Sequence, residues 1–159
     1  MIEPSNILRY IDERFFVRDL RARTKDGVLK ELADGLSQDR EVRDVKLLLE
    51  MLRRRESLGS TAIGDGVAIP HGRTLAISNI KVLFARHLKG VDFEAPDEKP
   101  VHLFFMIVAP PQDRNNEYLP LLGSIAQLVK EPAVREELMK VETFSDLREV
   151  LEGGFDGDR

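Results

Sequence analysis

Apolar side chains recur at helical spacing in five stretches of the chain, and each stretch predicts a helix with one buried face. The first follows Thr24, a residue type that caps helix N-termini, and places apolar residues from Val28 to Leu36 on its inner side. The second covers residues 39–55 and ends in arginines, whose charge suits the C-terminal end of a helix dipole. Three shorter helices are expected nearer the C-terminus, over 119–129, over 134–141 and in a last segment capped by Ser145.

Four other stretches favour extended chain. Residues 13–20 are rich in β-favouring side chains, residues 80–88 alternate in polarity, and a short strand is expected at 67–69. Residues 101–109 are apolar on both faces, which is typical of a strand in the middle of a covered sheet. The order of elements predicts an α/β (α+β) fold, in which a mixed central β-sheet is covered by helices on both faces as a three-layer sandwich.

Length and composition describe one ordinary globular unit. The 159 residues are 42% hydrophobic and 33% charged, and we expect a single domain over 1–152 followed by a disordered tail at 153–159. The chain has no cysteine, which excludes disulfides, thiolate metal sites and a cysteine nucleophile.

The charge pattern argues against a nucleic-acid partner. The chain has 24 basic and 28 acidic residues, a net charge of −4, and its one basic run is Arg53 to Arg55. The longest apolar run, Leu103 to Ala109, is far shorter than the ~20 residues that span a bilayer. The first residues lack the basic start and apolar core of a secretion signal, so we expect a cytoplasmic protein without membrane insertion.

The segment 57–73 holds the candidate chemistry. It contains four glycines, and His71 stands in it between a proline and a glycine. The backbone N–H groups of such a loop, the hydroxyls of Ser60 and Thr61 and the guanidinium of Arg55 are the kinds of donor that gather around an anion. The residues alone leave two interpretations open: a histidine beside an anion-binding loop, or a glycine-rich turn with an exposed histidine.

The other two histidines, His87 and His102, lie within predicted strands and are expected to be structural or partly exposed. Their spacing matches no zinc signature, so no metal site is expected. The loop also lacks the lysine of a P-loop and the G-x-S-x-G elbow of a serine hydrolase.

The nineteen residues from Arg55 to Arg73 read RESLGSTAIGDGVAIPHGR. They resemble the signature of the fructose/mannitol-type enzyme IIA of the bacterial phosphoenolpyruvate-dependent sugar phosphotransferase system, R-E-x-x-G-S-T-x-I-G-x-G-x-A-I-P-H-G-K. The main departure is Arg73, which replaces a lysine. The resemblance extends from Phe15 to near Leu151 and is strongest for the free-standing nitrogen-regulatory branch of the family.

This resemblance implies that His71 accepts a phosphoryl group on Nε2 from the small histidine phosphocarrier protein and passes it on. Arg55 would stabilise the charge of the phosphoryl group, and no cofactor is implied. The other positions implied for the site are a phosphate-binding loop, Ser60, Thr61 and Gly72, and two lining residues, Glu56 and Tyr118.

At Tyr118 the sequence differs from the pattern of the sugar-transport members. Transport members commonly carry a second histidine in an N-E-H-L segment, and the corresponding segment here reads Asn116-Glu117-Tyr118-Leu119. A phenol donates a hydrogen bond but does not take the charge of an imidazolium. We therefore expect Tyr118 to lie beside His71 and to alter the efficiency of transfer.

Three functions follow from the resemblance. Because no IIB, membrane IIC or phosphocarrier domain accompanies the motif, we expect a regulatory phosphocarrier that acts in nitrogen or metabolic signalling by binding target proteins. The first alternative is a soluble enzyme IIA that passes phosphate to a IIB domain of a fructose/mannitol-type transporter. The second is a IIA-like interaction module without transfer activity, which the intact pair of Arg55 and His71 disfavours.

Overall fold

One six-stranded sheet forms the centre of the computed structural model, which describes residues 2–153. The strands are β1 (Phe16–Val17), β2 (Ala62–Gly64), β3 (Val67–Ala68), β4 (His71–Arg73), β5 (Lys81–Val91) and β6 (Val101–Ala109). The α-helices are α1 (Lys25–Leu36), α2 (Val45–Ser57), α3 (Tyr118–Leu128), α4 (Pro132–Leu138) and α5 (Phe144–Leu151). The predicted disordered tail lies, apart from its first residue, outside the described residues.

Strand β6 organises the sheet, whose order is β1-β5-β6-β3-β2, with β4 also paired to β6. Strands β5 and β6 are antiparallel, with Val82 opposite Ile107. Strands β3 and β4 run parallel to β6 along its other edge, one after the other. The sheet is therefore mixed, and its longest strands lie inside it, as their apolar faces predict.

Helices cover both faces of the sheet. A β-carbon at Gly35 of α1 would lie 2.9 Å from the Leu83 side chain, so α1 packs closely against one face. On the opposite face, Phe84 stacks on Phe16 with ring centroids 5.9 Å apart, and Phe16 meets Phe144 of α5 edge-on at 6.5 Å. The predicted three-layer sandwich is confirmed.

Helix α1 forms as the apolar pattern predicts. The Thr24 hydroxyl accepts a hydrogen bond from the backbone N–H of Gly27 at 3.1 Å and caps the first turn. The apolar positions of this helix are buried: Val28, Leu29, Leu32, Ala33 and Leu36.

Helix α2 begins six residues later than predicted, at Val45. Asp44 caps it by accepting from the N–H of Leu47, and a side-chain cap of this kind sets the start of a helix. The preceding residues form a loop, in which the buried Asp39 pairs with Lys81 at 2.6 Å. A residue drawn into this distant ion pair is not available to begin the helix.

Two further boundaries differ from the sequence prediction. Residues 13–20 form only the short strand β1, preceded by a 3-10 turn over Glu13–Phe15 whose first N–H groups are capped by Asp12. The last helix is capped by Thr143 rather than Ser145, in a capping box with Asp146.

Two other differences concern short segments. Helix α4 ends at Leu138, so that Val141 is buried in the following loop. The sequence pattern also missed a 3-10 helix at Pro4–Arg9, which carries one buried residue, Ile7.

The glycine-rich segment is a β-hairpin followed by a strand, where the sequence predicts one short strand. Strands β2 and β3 pair antiparallel, and Gly64, Asp65 and Gly66 turn between them with φ of 96°, 56° and 78°. Positive φ is the reason for the two glycines here. Within residues 2–153, no helix is long and apolar enough to cross a membrane.

Candidate functional site

Strand β4 holds the candidate histidine against the centre of the sheet. His71, Gly72 and Arg73 pair in register with Ile107 to Ala109 of β6. Because side chains alternate along a strand, His71 and Arg73 point to one face of β4 and Gly72 to the other. The His71 side chain is half-buried, so part of its ring remains open to a partner.

A backbone hydrogen bond sets the tautomer of the His71 ring. Nδ1 lies 2.7 Å from the carbonyl oxygen of Ile69. Since a carbonyl oxygen only accepts, the proton of the neutral ring is assigned to Nδ1, and Nε2 keeps its lone pair. The nitrogen that is left unprotonated is thus the one implied by the family resemblance.

The surroundings of His71 keep its ring neutral near pH 7. Burial is the largest influence and lowers its pKa; the hydrogen bond to Ile69 opposes this, the positive charge of Arg55 lowers the pKa further, and Glu56 raises it. The net effect is a pKa below the ordinary value of histidine. A neutral imidazole with a free Nε2 is a nucleophile.

Arg55 occupies the last turn of α2, near enough to His71 for its charge to lower the pKa of the ring. Its Nη1 donates to the carbonyl oxygen of Gly59 at 2.8 Å, which fixes the guanidinium over the turn that leaves the helix. Arg55, at the start of the motif, thus lies close enough to His71 for its charge to act on the imidazole.

Glu56 is buried and fastens the loop that leads to His71. Its carboxylate accepts from the backbone N–H of Thr61 at 3.1 Å and from the Thr61 hydroxyl, and it pairs with Lys25 at 2.9 Å. The carbonyl of Thr61 in turn accepts from the N–H of Ile69, the residue that holds Nδ1 of His71. A continuous chain of hydrogen bonds thus runs from α1 to the imidazole.

The other predicted loop residues make contacts within the fold. The Ser60 hydroxyl donates to the carbonyl oxygen of Phe93 at 2.5 Å and accepts from the N–H of Ala62. Gly72 faces α2, where an added β-carbon would lie 2.1 Å from the Met51 sulfur. In this structure Ser60 shapes the loop, and Gly72 allows the helix to approach the strand.

Tyr118 opens α3 beside the histidine, with its ring centroid 6.4 Å from that of His71. The Asp113 carboxylate accepts from the Tyr118 N–H at 2.8 Å and holds the start of the helix. Burial raises the pKa of the Tyr118 phenol, and the charges of Arg73 and Arg55 partly offset this rise. The phenol is therefore neutral near pH 7.

Two site residues were not identified from the sequence. Lys25 is the cationic partner of Glu56, and no local pattern links residues on different helices. The guanidinium of Arg73 lies over the Tyr118 ring, 4.6 Å from its centroid. The signal for Arg73 was its position two residues after His71, which places both on the same face of a strand.

The remaining histidines have structural contacts. His87 is buried; its Nε2 lies 2.8 Å from the Ala22 carbonyl oxygen and its Nδ1 accepts from the N–H of Gly90. Nδ1 of His102 lies 3.0 Å from the His87 carbonyl oxygen.

The fold is that of a phosphotransferase-system enzyme IIA. The chain belongs to the family described as phosphoenolpyruvate-dependent sugar phosphotransferase system, EIIA 2, whose model matches residues 9–153.

Relatives in this family have two kinds of name. The chain is 36% identical over 119 residues to a nitrogen regulatory protein of Bradyrhizobium diazoefficiens, covering 75% of this chain and 76% of that protein. It is 35% identical over 128 residues to the fructose-specific EIIA component of Haloferax volcanii, covering 80% and 82%. By contrast, it spans only 21% of the fructose-specific EIIABC component of Bacillus subtilis, with 32% identity over 133 residues and 84% of this chain covered.

A solved structure supports the same classification. The crystal structure of nitrogen regulatory protein IIA-Ntr from Neisseria meningitidis superposes with a TM-score of 0.82 and 33% identity. The match covers 90% of this chain and 97% of that one.

Proposed function

We propose that the protein is a phosphohistidine carrier that accepts a phosphoryl group on His71 and acts in regulation through its phosphorylation state. The observation that carries this proposal is the His71 ring, whose Nδ1 is bound by the Ile69 carbonyl while Nε2 stays free. The proposed donor is the small histidine phosphocarrier protein of the phosphotransferase system.

The transfer step needs no proton movement. The Nε2 lone pair of His71 forms the new N–P bond while the N–P bond of the donor's phosphohistidine breaks, and the donor nitrogen keeps that electron pair. Nδ1 of His71 retains its proton on the Ile69 carbonyl, so the phosphorylated ring carries positive charge. This charge makes the ring a good leaving group for the next transfer.

Arg55 is proposed to stabilise the phosphoryl oxygens. A guanidinium presents several N–H donors in a planar fork that matches phosphate geometry. Its contact with Gly59 holds it at the end of α2 before any partner arrives, so little reorganisation is needed during transfer.

The surface near the site suits a protein partner. Three exposed leucines stand close in the chain to site residues: Leu58 after Arg55, Leu75 after Arg73 and Leu119 next to Tyr118. Exposed apolar side chains next to polar residues are typical of protein–protein contact surfaces.

The regulatory role is supported by the relatives named nitrogen regulatory protein and by the similarity to the Neisseria structure. The match to a fructose-specific EIIA component supports a second candidate function, transfer of the phosphoryl group to a IIB domain during sugar uptake.

Intact mass spectrometry tests the carrier function. The chain is incubated with phosphoenolpyruvate, enzyme I and phosphocarrier protein, and the expected product is an acid-labile gain of ~80 Da, the mass of one phosphoryl group. His71→Ala should show no gain, whereas the matched control His102→Gln should be labelled like the wild type. Labelling of His71→Ala would overturn the assignment of the site.

A second measurement separates the two roles. The phosphorylated chain is mixed with a purified fructose-type IIB domain, and loss of label from His71 is followed with time. A regulatory carrier should keep its phosphoryl group under these conditions, whereas rapid transfer to the IIB domain would favour the transport function.

A further inference from the structure

Arg73 and Tyr118 form an interacting pair at the edge of the site. The Arg73 guanidinium carbon lies 4.6 Å from the centroid of the Tyr118 ring, within the range of a cation–π contact. Nη1 of Arg73 also lies 3.4 Å from the Pro110 carbonyl oxygen, at the end of β6. The cation is thus held from two sides although its residue is exposed.

Both residues of the pair lie on regular elements, Tyr118 at the start of α3 and Arg73 at the end of β4. Tyr118 is only 6% exposed, and its ring lies 6.4 Å from the His71 ring. Arg73 follows His71 by two residues on the same face of β4, a rise of roughly 6.6 Å along a strand. The Arg73 guanidinium therefore lies against the ring of Tyr118, and that ring lies beside the histidine.

Arg55, at the end of α2, also acts on Tyr118 through its charge. The charges of Arg55 and Arg73 both act on the Tyr118 phenol and lower its pKa against the larger effect of burial. The charges of two guanidinium groups, one from α2 and one from β4, thus act on the Tyr118 phenol.

We infer that Arg73 is a second cation of the phosphoryl site, and that the ring of Tyr118 positions it. The inference rests on the proposed function of His71 as a phosphoryl acceptor. The phosphoryl group carries negative charge, and a cation that is already in place stabilises that charge without reorganisation.

The test measures the rate of His71 phosphorylation by the phosphorylated histidine phosphocarrier protein in rapid-quench experiments. Arg73→Gln should slow the reaction about tenfold, less than the ~100-fold or more expected for a donor in direct contact. Arg73→Lys should recover part of the rate because it keeps the charge but loses the planar contact with the ring. The matched control is Arg54→Gln, which removes another exposed cation, on α2, and should leave the rate unchanged.

Tyr118 variants separate the ring from its hydroxyl. Tyr118→Leu removes the ring face and should slow the reaction as much as Arg73→Gln does, whereas Tyr118→Phe keeps the ring face and should react faster than Tyr118→Leu. The double variant Arg73→Gln/Tyr118→Leu should be no slower than either single variant, since both substitutions remove the same stabilisation. A Tyr118→Phe variant as slow as Tyr118→Leu would contradict the positioning role.

A pH profile shows whether the rate depends on the positive charge at position 73 or on the shape of its side chain. Arg73→His should react faster than Arg73→Gln near pH 6, where an exposed imidazole is mostly protonated, and should match it near pH 8. If Arg73→His and Arg73→Gln react equally fast at pH 6 as well as at pH 8, or if Arg73→Gln reacts at the wild-type rate, the inference is overturned. His71 would remain the acceptor in either case. Failure of the wild-type chain to become labelled would instead overturn the proposed function.

Discussion

The buried ion pair between Lys25 and Glu56 gives a quantitative prediction about stability. Its side chains are 17% and 5% exposed and lie 2.9 Å apart, joining the start of α1 to the end of α2. Replacing Lys25 by Met leaves the Glu56 carboxylate buried with only its hydrogen bonds to Thr61. We expect Lys25→Met to lower the free energy of unfolding.

The burial of the pair sets the expected magnitude. Removing one partner of a fully buried ion pair costs about 3–5 kcal/mol. Water reaches Lys25, which also contacts the exposed Glu94 at 3.1 Å, so we expect a loss of about 2 kcal/mol. For a domain of this size that loss lowers the melting temperature by about 4–8 °C.

Urea denaturation followed by circular dichroism measures this effect. The double variant Lys25→Met/Glu56→Gln should regain about 1 kcal/mol over Lys25→Met, because it no longer buries an unpaired charge. The control is Arg54→Met, which breaks an exposed pair with Glu50 and should cost at most about 0.5 kcal/mol. The reasoning is refuted if Lys25→Met costs no more than Arg54→Met, or if the double variant is less stable than the single one.

Three further predictions concern the site. Since burial holds the pKa of His71 below its ordinary value, the rate of phosphoryl acceptance should stay level from pH 8 to about 6.5 and fall only at lower pH; an earlier decline would contradict this. Arg55→Ala should slow transfer by about 100- to 1000-fold in the rapid-quench assay, and Arg55→Lys should recover only part; a wild-type rate in Arg55→Ala would exclude its role. Gly72→Ala should cost about 1–3 kcal/mol in urea denaturation, because its methyl group would overlap Met51, and Met51→Ala in the same chain should restore most of that loss.

Local patterns in the sequence were sufficient for most of the helices and for the centre of the sheet. The apolar positions of α1 are all buried, and β6 lies inside the sheet as its two apolar faces predict. These predictions succeed because the spacing of apolar residues directly indicates whether one face of a helix or both faces of a strand are buried.

Segments whose structure depends on distant partners were predicted less well. Residues 39–44 look helical, yet Asp39 pairs with Lys81 of β5 and helix α2 starts only after Asp44. Residues 13–20 look like a strand, but only Phe16–Val17 pair with β5. In the first case a tertiary contact prevails over a weak local preference, and in the second the Asp12 cap favours a 3-10 turn over Glu13–Phe15.

The sequence by itself determined the family and the candidate nucleophile, because the motif around His71 is continuous in the chain. Only the tertiary structure decided which ring nitrogen is free, since the tautomer depends on the Ile69 carbonyl. It also decided that Lys25 of α1 pairs with Glu56 of α2, and that Arg73 of β4 lies against Tyr118 of α3. Such contacts join residues that are far apart in the chain, so no local pattern of residues predicts them.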